Sequence, residues 1–169
     1  MRWLALVTLV AATACASDAN APEQPIAFDH KLHLSKELAK KMKQRQLVCT
    51  DCHPGAEKGI HAGLPSLSSC LRCHMKVQSA RENEHKVREL AGKNEPFQWY
   101  QVTRNPAHVY FSHRPHVSIA KIDCEVCHGN VREWEEPPRK PNERLLHMSS
   151  CMACHRQRGA DNECGVCHK

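Results

Sequence analysis

The chain has 169 residues, a formal charge of +6 and a mean hydropathy of −0.59, with 41% hydrophobic but only 5% aromatic residues. That length accommodates one domain or two very small ones, and so polar a composition excludes an ordinary hydrophobic core. The basic residues are not interleaved with aromatics, which argues against a nucleic-acid partner.

The N-terminal run, Met1 to Cys15, carries one positive charge and then apolar and small residues. This is the pattern of a secretory signal, and it is too short for a membrane-spanning helix. Cys15 follows Ala12-Thr13-Ala14, where a bacterial lipoprotein carries its lipidated cysteine; plain cleavage at an Ala-x-Ala site is the alternative. Residues 16–27, small, polar and proline-punctuated, are expected to form a flexible tether, which leaves 28–169 as the domain proper.

Ser35 to Gln46 predicts a helix. Ser35 suits an N-cap, and Leu34, Leu38 and Met42 share a face. Lys36, Lys40, Lys41, Lys43 and Arg45 line the other side. Ser79 to Asn94 predicts a second helix, solvated, with charges at helical spacing (Arg81, Glu82, Glu84, Lys86, Arg88, Glu89) and a stop at Gly92. Glu133 to Pro141, rich in proline and mixed charge, reads as a surface loop in which Trp134 packs rather than recognises a partner.

Ten of the 11 cysteines fall in five copies of Cys-x-x-Cys-His: Cys49, Cys52 and His53; Cys70, Cys73 and His74; Cys124, Cys127 and His128; Cys151, Cys154 and His155; Cys164, Cys167 and His168. Zinc knuckles or disulfides explain paired cysteines but not a histidine after every second one. With 13 histidines in 169 residues, five such placements by chance have odds of about three in a million. The pattern is the attachment site of c-type haem. The two thiols add to the porphyrin vinyl groups, and the histidine binds iron from one face. Five haems, each with two propionates, bring the charge of +6 to about −4. They also leave about 31 residues per haem after the signal, so the haems must supply most of the buried apolar surface. The expected fold is mostly irregular and small-α: short helices around five stacked haems, with little or no sheet.

The chain repeats itself. Phe28-Asp29-His30-Lys31-Leu32-His33 returns as Phe111-Ser112-His113-Arg114-Pro115-His116, and Ser68-Ser69-Cys70 returns as Ser149-Ser150-Cys151. The pseudo-repeats are 28–78 and 111–155, with the fifth motif, 164–168, added after the second. A six-coordinate haem only passes electrons, so the second iron ligand separates a carrier from an enzyme. Eight histidines lie outside the motifs. Two histidines three apart on one helical turn project in similar directions and can serve two neighbouring haems. This makes His30, His33, His113 and His116 the expected distal ligands. For the fifth, Met148 is favoured, with His147, His61, His108 and His85 left open.

A longer constellation combines Phe28-x-His30-Lys31-x-His33, Cys-x-x-Cys-His-x-Gly55, Ala62-Gly63-Leu64-Pro65-Ser66, Pro96-Phe97-x-Trp99, Val109-Tyr110-Phe111-Ser112-His113-x-x-His116, Cys124-x-x-Cys-His-Gly129-x-Val131, Met148 before Cys151, and Cys154-His155-Arg156. It resembles the class III multihaem cytochromes and, more specifically, the pentahaem subunit of alternative complex III and related quinone-oxidoreductase complexes. The resemblance covers roughly residues 28–168. It implies an electron wire on the periplasmic side of a bacterial membrane. Its implied partners are iron–sulfur and quinol-binding subunits and a cytochrome c, and it implies ligation by Met148. A lipid anchor at Cys15 would add the membrane surface. The expected role is non-catalytic electron transfer within a respiratory complex. The alternatives are a stand-alone carrier and, further off, a multihaem reductase.

Overall fold

The computed structural model describes residues 23–93 and 96–169. The expected signal and Cys15 lie outside them. Of the expected tether, residues 23–27 are fastened to the fold: Ile26 is 4% exposed, and the Gln24 amide exchanges hydrogen bonds with Tyr100 O (2.9 Å) and Tyr100 N (3.0 Å).

Eight short α-helices follow one another: α1 (His30–His33), α2 (Lys36–Lys41), α3 (Cys49–Cys52), α4 (Leu67–His74), α5 (Glu82–Gly92), α6 (Cys124–His128), α7 (Met148–Arg158) and α8 (Cys164–Cys167). Single 3₁₀ turns stand at Pro54–Ala56, Val131–Glu133 and Glu143–Leu145, and a π-helical turn at Pro115–Ile119. Among the described residues the extended pairing is one isolated antiparallel bridge, Val109 to His168. The fold is therefore the strand-poor, short-helix architecture that the motif spacing implies.

Local chemistry sets these boundaries. Asp29 caps α1 by accepting from Leu32 N (2.7 Å), and Ser35 caps α2 by accepting from Leu38 N (3.1 Å). The second helix is shorter than expected, ending at Lys41. Lys43 turns into the left-handed region (φ 51), and Lys43 N and Gln44 N donate to Lys40 O and Ala39 O. That is a Schellman ending built on lysine in place of glycine. Its faces are as expected: Leu34, Leu38 and Met42 are half-buried, and the basic residues are exposed.

The third motif's helix starts at Asp123, which caps α6 by accepting from Glu125 N at 2.9 Å. α5 departs from the expected solvated helix. It packs against α4 and buries Glu84 and Val87.

Among the described residues, Ile26, Ala56 and Val87 are the apolar side chains below a tenth exposed. So thin a core cannot offset the conformational entropy of some 140 ordered residues. The interior this chain encloses is meant for something other than its own side chains.

Candidate haem sites

Each motif places its two cysteines three residues apart on one helical turn, hence on one face. In the first and fifth motifs the histidine closes the turn, its N–H donating to the first cysteine's carbonyl (His53 to Cys49, 2.8 Å; His168 to Cys164, 3.0 Å). None of the ten cysteines is joined in a disulfide. Burial pushes the thiols of Cys52, Cys70, Cys127 and Cys151 up, and burial together with neighbouring Cys49 pushes Cys124 up to about 11. Zinc needs thiolates gathered around one point. Among the described residues no three Cys, His, Asp or Glu side chains converge in that way.

The histidines meet in facing pairs. His33 lies across from His74 (ring centroids 6.1 Å apart), His113 from His128 (6.3 Å, planes 2° apart), His116 from His155 (6.0 Å), and His108 from His168 (5.6 Å, 18°). His30 is neighboured by His53. Two imidazoles bound to opposite faces of one metal, each nitrogen about 2 Å from it, have centroids about 6 Å apart. The spacing therefore fits an iron held between each pair.

The other ring nitrogen is specified as well. Nδ1 faces a backbone carbonyl in His33 (Asp29 O, 2.7 Å), His53 (Gly63 O, 2.6 Å), His113 (Ile60 O, 2.8 Å), His116 (Ser112 O, 2.8 Å) and His155 (Asp161 O, 2.6 Å). A carbonyl only accepts, so Nδ1 carries the proton and Nε2 keeps its lone pair. Burial also holds imidazoles neutral. Burial, with His53 and His33 nearby, pushes His30 down to about 4, and burial foremost lowers His33 and His128. A neutral ring is the iron-binding form. The buried Nδ1 atoms of His30 and His74 have no hydrogen-bond partner.

Each Phe-x-His-x-x-His block uses its phenylalanine as a wedge. Phe28 touches the rings of His30 (4.8 Å) and His33 (4.4 Å), and Phe111 those of His113 (4.9 Å) and His116 (4.7 Å). Trp134 packs edge-on against His30 at 6.0 Å.

Met148 stands at the first position of α7, 62% exposed, and the ring across from His168 is that of His108. His61, His85, His147 and His108 are all exposed, and among them it is His108 whose ring lies against that of a motif histidine.

Two further features escape a reading of motifs. Glu84 is buried beside His74, its Oε1 at 3.8 Å from the unpartnered Nδ1. Burial alone would raise its pKa, but hydrogen bonds from Gln78 N, Ser79 Oγ and Arg88 Nη1 prevail and bring it down to about 2. The second feature is the turn Gly55–Ala62, whose carbonyls hold residues of the other half. A Cβ on Gly55 would lie 2.2 Å from His61 O, so the close approach requires glycine.

Among the described residues no helix is long and apolar enough to cross a membrane. Residues 109–169 match the family of cytochrome c7 and related cytochrome c. Over 171 aligned residues, 87% of this chain and 77% of the relative, the sequence is 29% identical to the menaquinone reductase multihaem cytochrome c subunit of Nitratidesulfovibrio vulgaris. That likeness is to a quinone reductase subunit and not specifically to alternative complex III. The motifs, the histidine pairs and these similarities together liken the chain to multihaem c-type cytochromes, with residues 109–169 matching that family directly.

Proposed function

We propose that the chain binds five c-type haems, each between two histidines. The pairs are His53 with His30, His74 with His33, His128 with His113, His155 with His116, and His168 with His108. The ten motif cysteines are the covalent attachments, and Met148 is not a ligand. The observation that carries this reading is the ring separation of 5.6–6.3 Å that recurs in four of the five pairs; the fifth, His53 with His30, rests on their proximity. The haems, when bound, supply one-electron iron couples whose potentials depend on axial ligand, burial and hydrogen bonding.

The chain's residues do the rest. Backbone carbonyls fix the histidine tautomers, so Nε2 is presented without reorientation. Phe28 and Phe111 each pack against both histidine rings of their own block and fix how those rings stand. A haem held by both histidines of a pair would have no ligand position left for substrate, which fits transfer and not catalysis.

The similarity to a menaquinone reductase subunit supports a place in a membrane-associated quinone-oxidoreducing complex. There the chain would pass electrons between quinone-reactive or iron–sulfur subunits and another redox protein such as a cytochrome c. The signal-like N terminus supports the periplasmic side of a bacterial membrane, with Cys15 as a lipid anchor and the domain proper beginning at 28.

Mass spectrometry of the mature protein tests the core of this reading, with five haem additions and a lipidated Cys15 expected. Magnetic circular dichroism should find every haem low-spin with bis-histidine bands. Fewer additions, or a methionine-ligand band, would overturn the ligand set. Mild detergent extraction followed by gel filtration tests the complex, and elution as a monomer would leave a stand-alone carrier.

A further inference from the structure

We propose that the five histidine pairs form one unbranched file, in the order second motif, first, third, fourth, fifth, with its two ends at His33/His74 and His108/His168. The inference rests on the haem-ligating reading above and adds to it the arrangement of the sites.

The order follows from four joints. The first joins motifs one and two. α1 carries His30 toward His53 and, one turn on, His33 toward His74, so these two sites are neighbours. Arg72 Nη2 fastens α4 onto α3 by donating to Asp51 O at 3.0 Å. The second joint repeats this for motifs three and four, with His113 toward His128 and His116 toward His155. Asn142 Nδ2 donates to Cys127 O (3.0 Å), and the turn Glu143–Leu145 packs on both α6 and α7.

The third joint connects the halves, and it is reciprocal. Lys31 N, on the first histidine block, donates to Trp134 O (3.0 Å), which follows the third motif. His113 N and Arg114 N, on the second block, donate to Ile60 O (3.4 Å) and Gly59 O (3.2 Å), which follow the first motif. Ser112 Oγ adds a bond to Gly59 O at 3.2 Å. Each half thus clasps the other's histidine block with the turn after its own leading motif. Such an exchange is an approximate two-fold relation. It places the first and third motifs at the centre, where Cys49 meets Cys124 and His53 neighbours His128. The second and fourth motifs then lie on opposite outer sides.

The fourth joint attaches the fifth motif to the fourth, outside the two-fold relation. Eight residues separate His155 from Cys164, and Cys151 lies beside Cys167. Asn162 Nδ2 donates to Met152 O at 3.0 Å. Tyr110 N donates to Cys167 O at 2.6 Å, bringing His108 over His168 at the far end. An electron crossing the whole chain is taken up at one end of this file and given up at the other.

Iron anomalous diffraction from crystals of the haem-loaded protein tests the order directly. Five peaks are expected on a single line of nearest neighbours, with the His33/His74 and His108/His168 peaks terminal. In solution, stepwise reduction followed by NMR should give the strongest haem–haem redox interactions for first–second, first–third, third–fourth and fourth–fifth. A peak with three close neighbours, a terminal peak found in the interior, or a strong second–third or second–fifth interaction would overturn the file and leave the ligand pairs standing. Fewer than five peaks would instead defeat the haem reading on which it rests.

Discussion

In the first half of the molecule the two histidines of the Phe-x-His-x-x-His block sit on a regular turn, α1, whose N terminus is capped by Asp29. In the second half the same Phe-x-His-x-x-His run passes into a π-helical turn, Pro115–Ile119, with Ala120 N bonded to Pro115 O at 2.9 Å. Pro115 has no N–H to give, and the widened turn accommodates it. Yet His33 Nδ1 and His116 Nδ1 both donate to the carbonyl four residues back, at 2.7 and 2.8 Å. The wedge distances of the two phenylalanines also match within a few tenths of an ångström. What the two halves keep in common is where the rings stand. The backbone that carries them is free to differ. The first histidine of each block shows the remaining inequality: His113 Nδ1 is fixed by Ile60 O, whereas His30 Nδ1 has no acceptor and is steered by the edge of Trp134.

The largest effect expected from breaking this correspondence is loss of a ligand. His113→Ala and His108→Ala should each turn one haem high-spin and raise its potential, read by EPR and spectroelectrochemistry, while Met148→Ala leaves the low-spin count unchanged. A high-spin signal from Met148→Ala would restore the methionine to the ligand set.

Gly55→Ala comes next. Its Cβ would displace the turn that presents Gly59 and Ile60, at a cost of about 2–4 kcal/mol. Thermal melts should drop, and the disturbance should appear in the third-motif haem of the opposite half, through His113.

Glu84→Gln asks how far the halves differ at their outer sites, since the facing side of His155 Nδ1 is a carbonyl and that of His74 is a carboxylate. A carboxylate near Nδ1 raises the basicity of the imidazole, so the variant should raise the second-motif potential. It should also cost roughly 1–3 kcal/mol from lost charge-assisted bonds. The folded-state pKa of Glu84 is depressed from 4.5 to about 2. Its contribution is therefore complete above about pH 4.5 and is lost as pH falls through about 2. Acid titration of the variant should lack that limb.

The smallest effect belongs to Asp29→Ala. Loss of the α1 cap should cost about 1 kcal/mol by denaturant titration, with the haem spectra unchanged.

Covalent attachment demands contiguous spacing, which is why all five motifs and the fold class they imply could be read from the residues alone. The juxtaposition of each block's two histidines with motif histidines was legible for a similar reason, since one helical turn is a local constraint. His108 was not, because it reaches His168 through a bridge between residues 59 positions apart, Val109 and His168. Met148 gained its appeal from nearness in sequence to the fourth motif, and nearness in sequence does not say which ring stands across from a motif histidine. Glu84 hid among charges at helical spacing, where pattern does not tell the one inward member from its solvated neighbours. The turn at 59–60 acts through carbonyl oxygens, and main-chain acceptors leave no signature in residue type.

The exchanged clasps between residues 31 and 134 and between 113–114 and 59–60 bear on how the molecule comes apart. Melting either half releases the other's imidazoles from their supports, so neither half can fray alone. Denaturation followed through the Soret band should accordingly be one concerted step, with ligand loss at the two innermost irons arriving together.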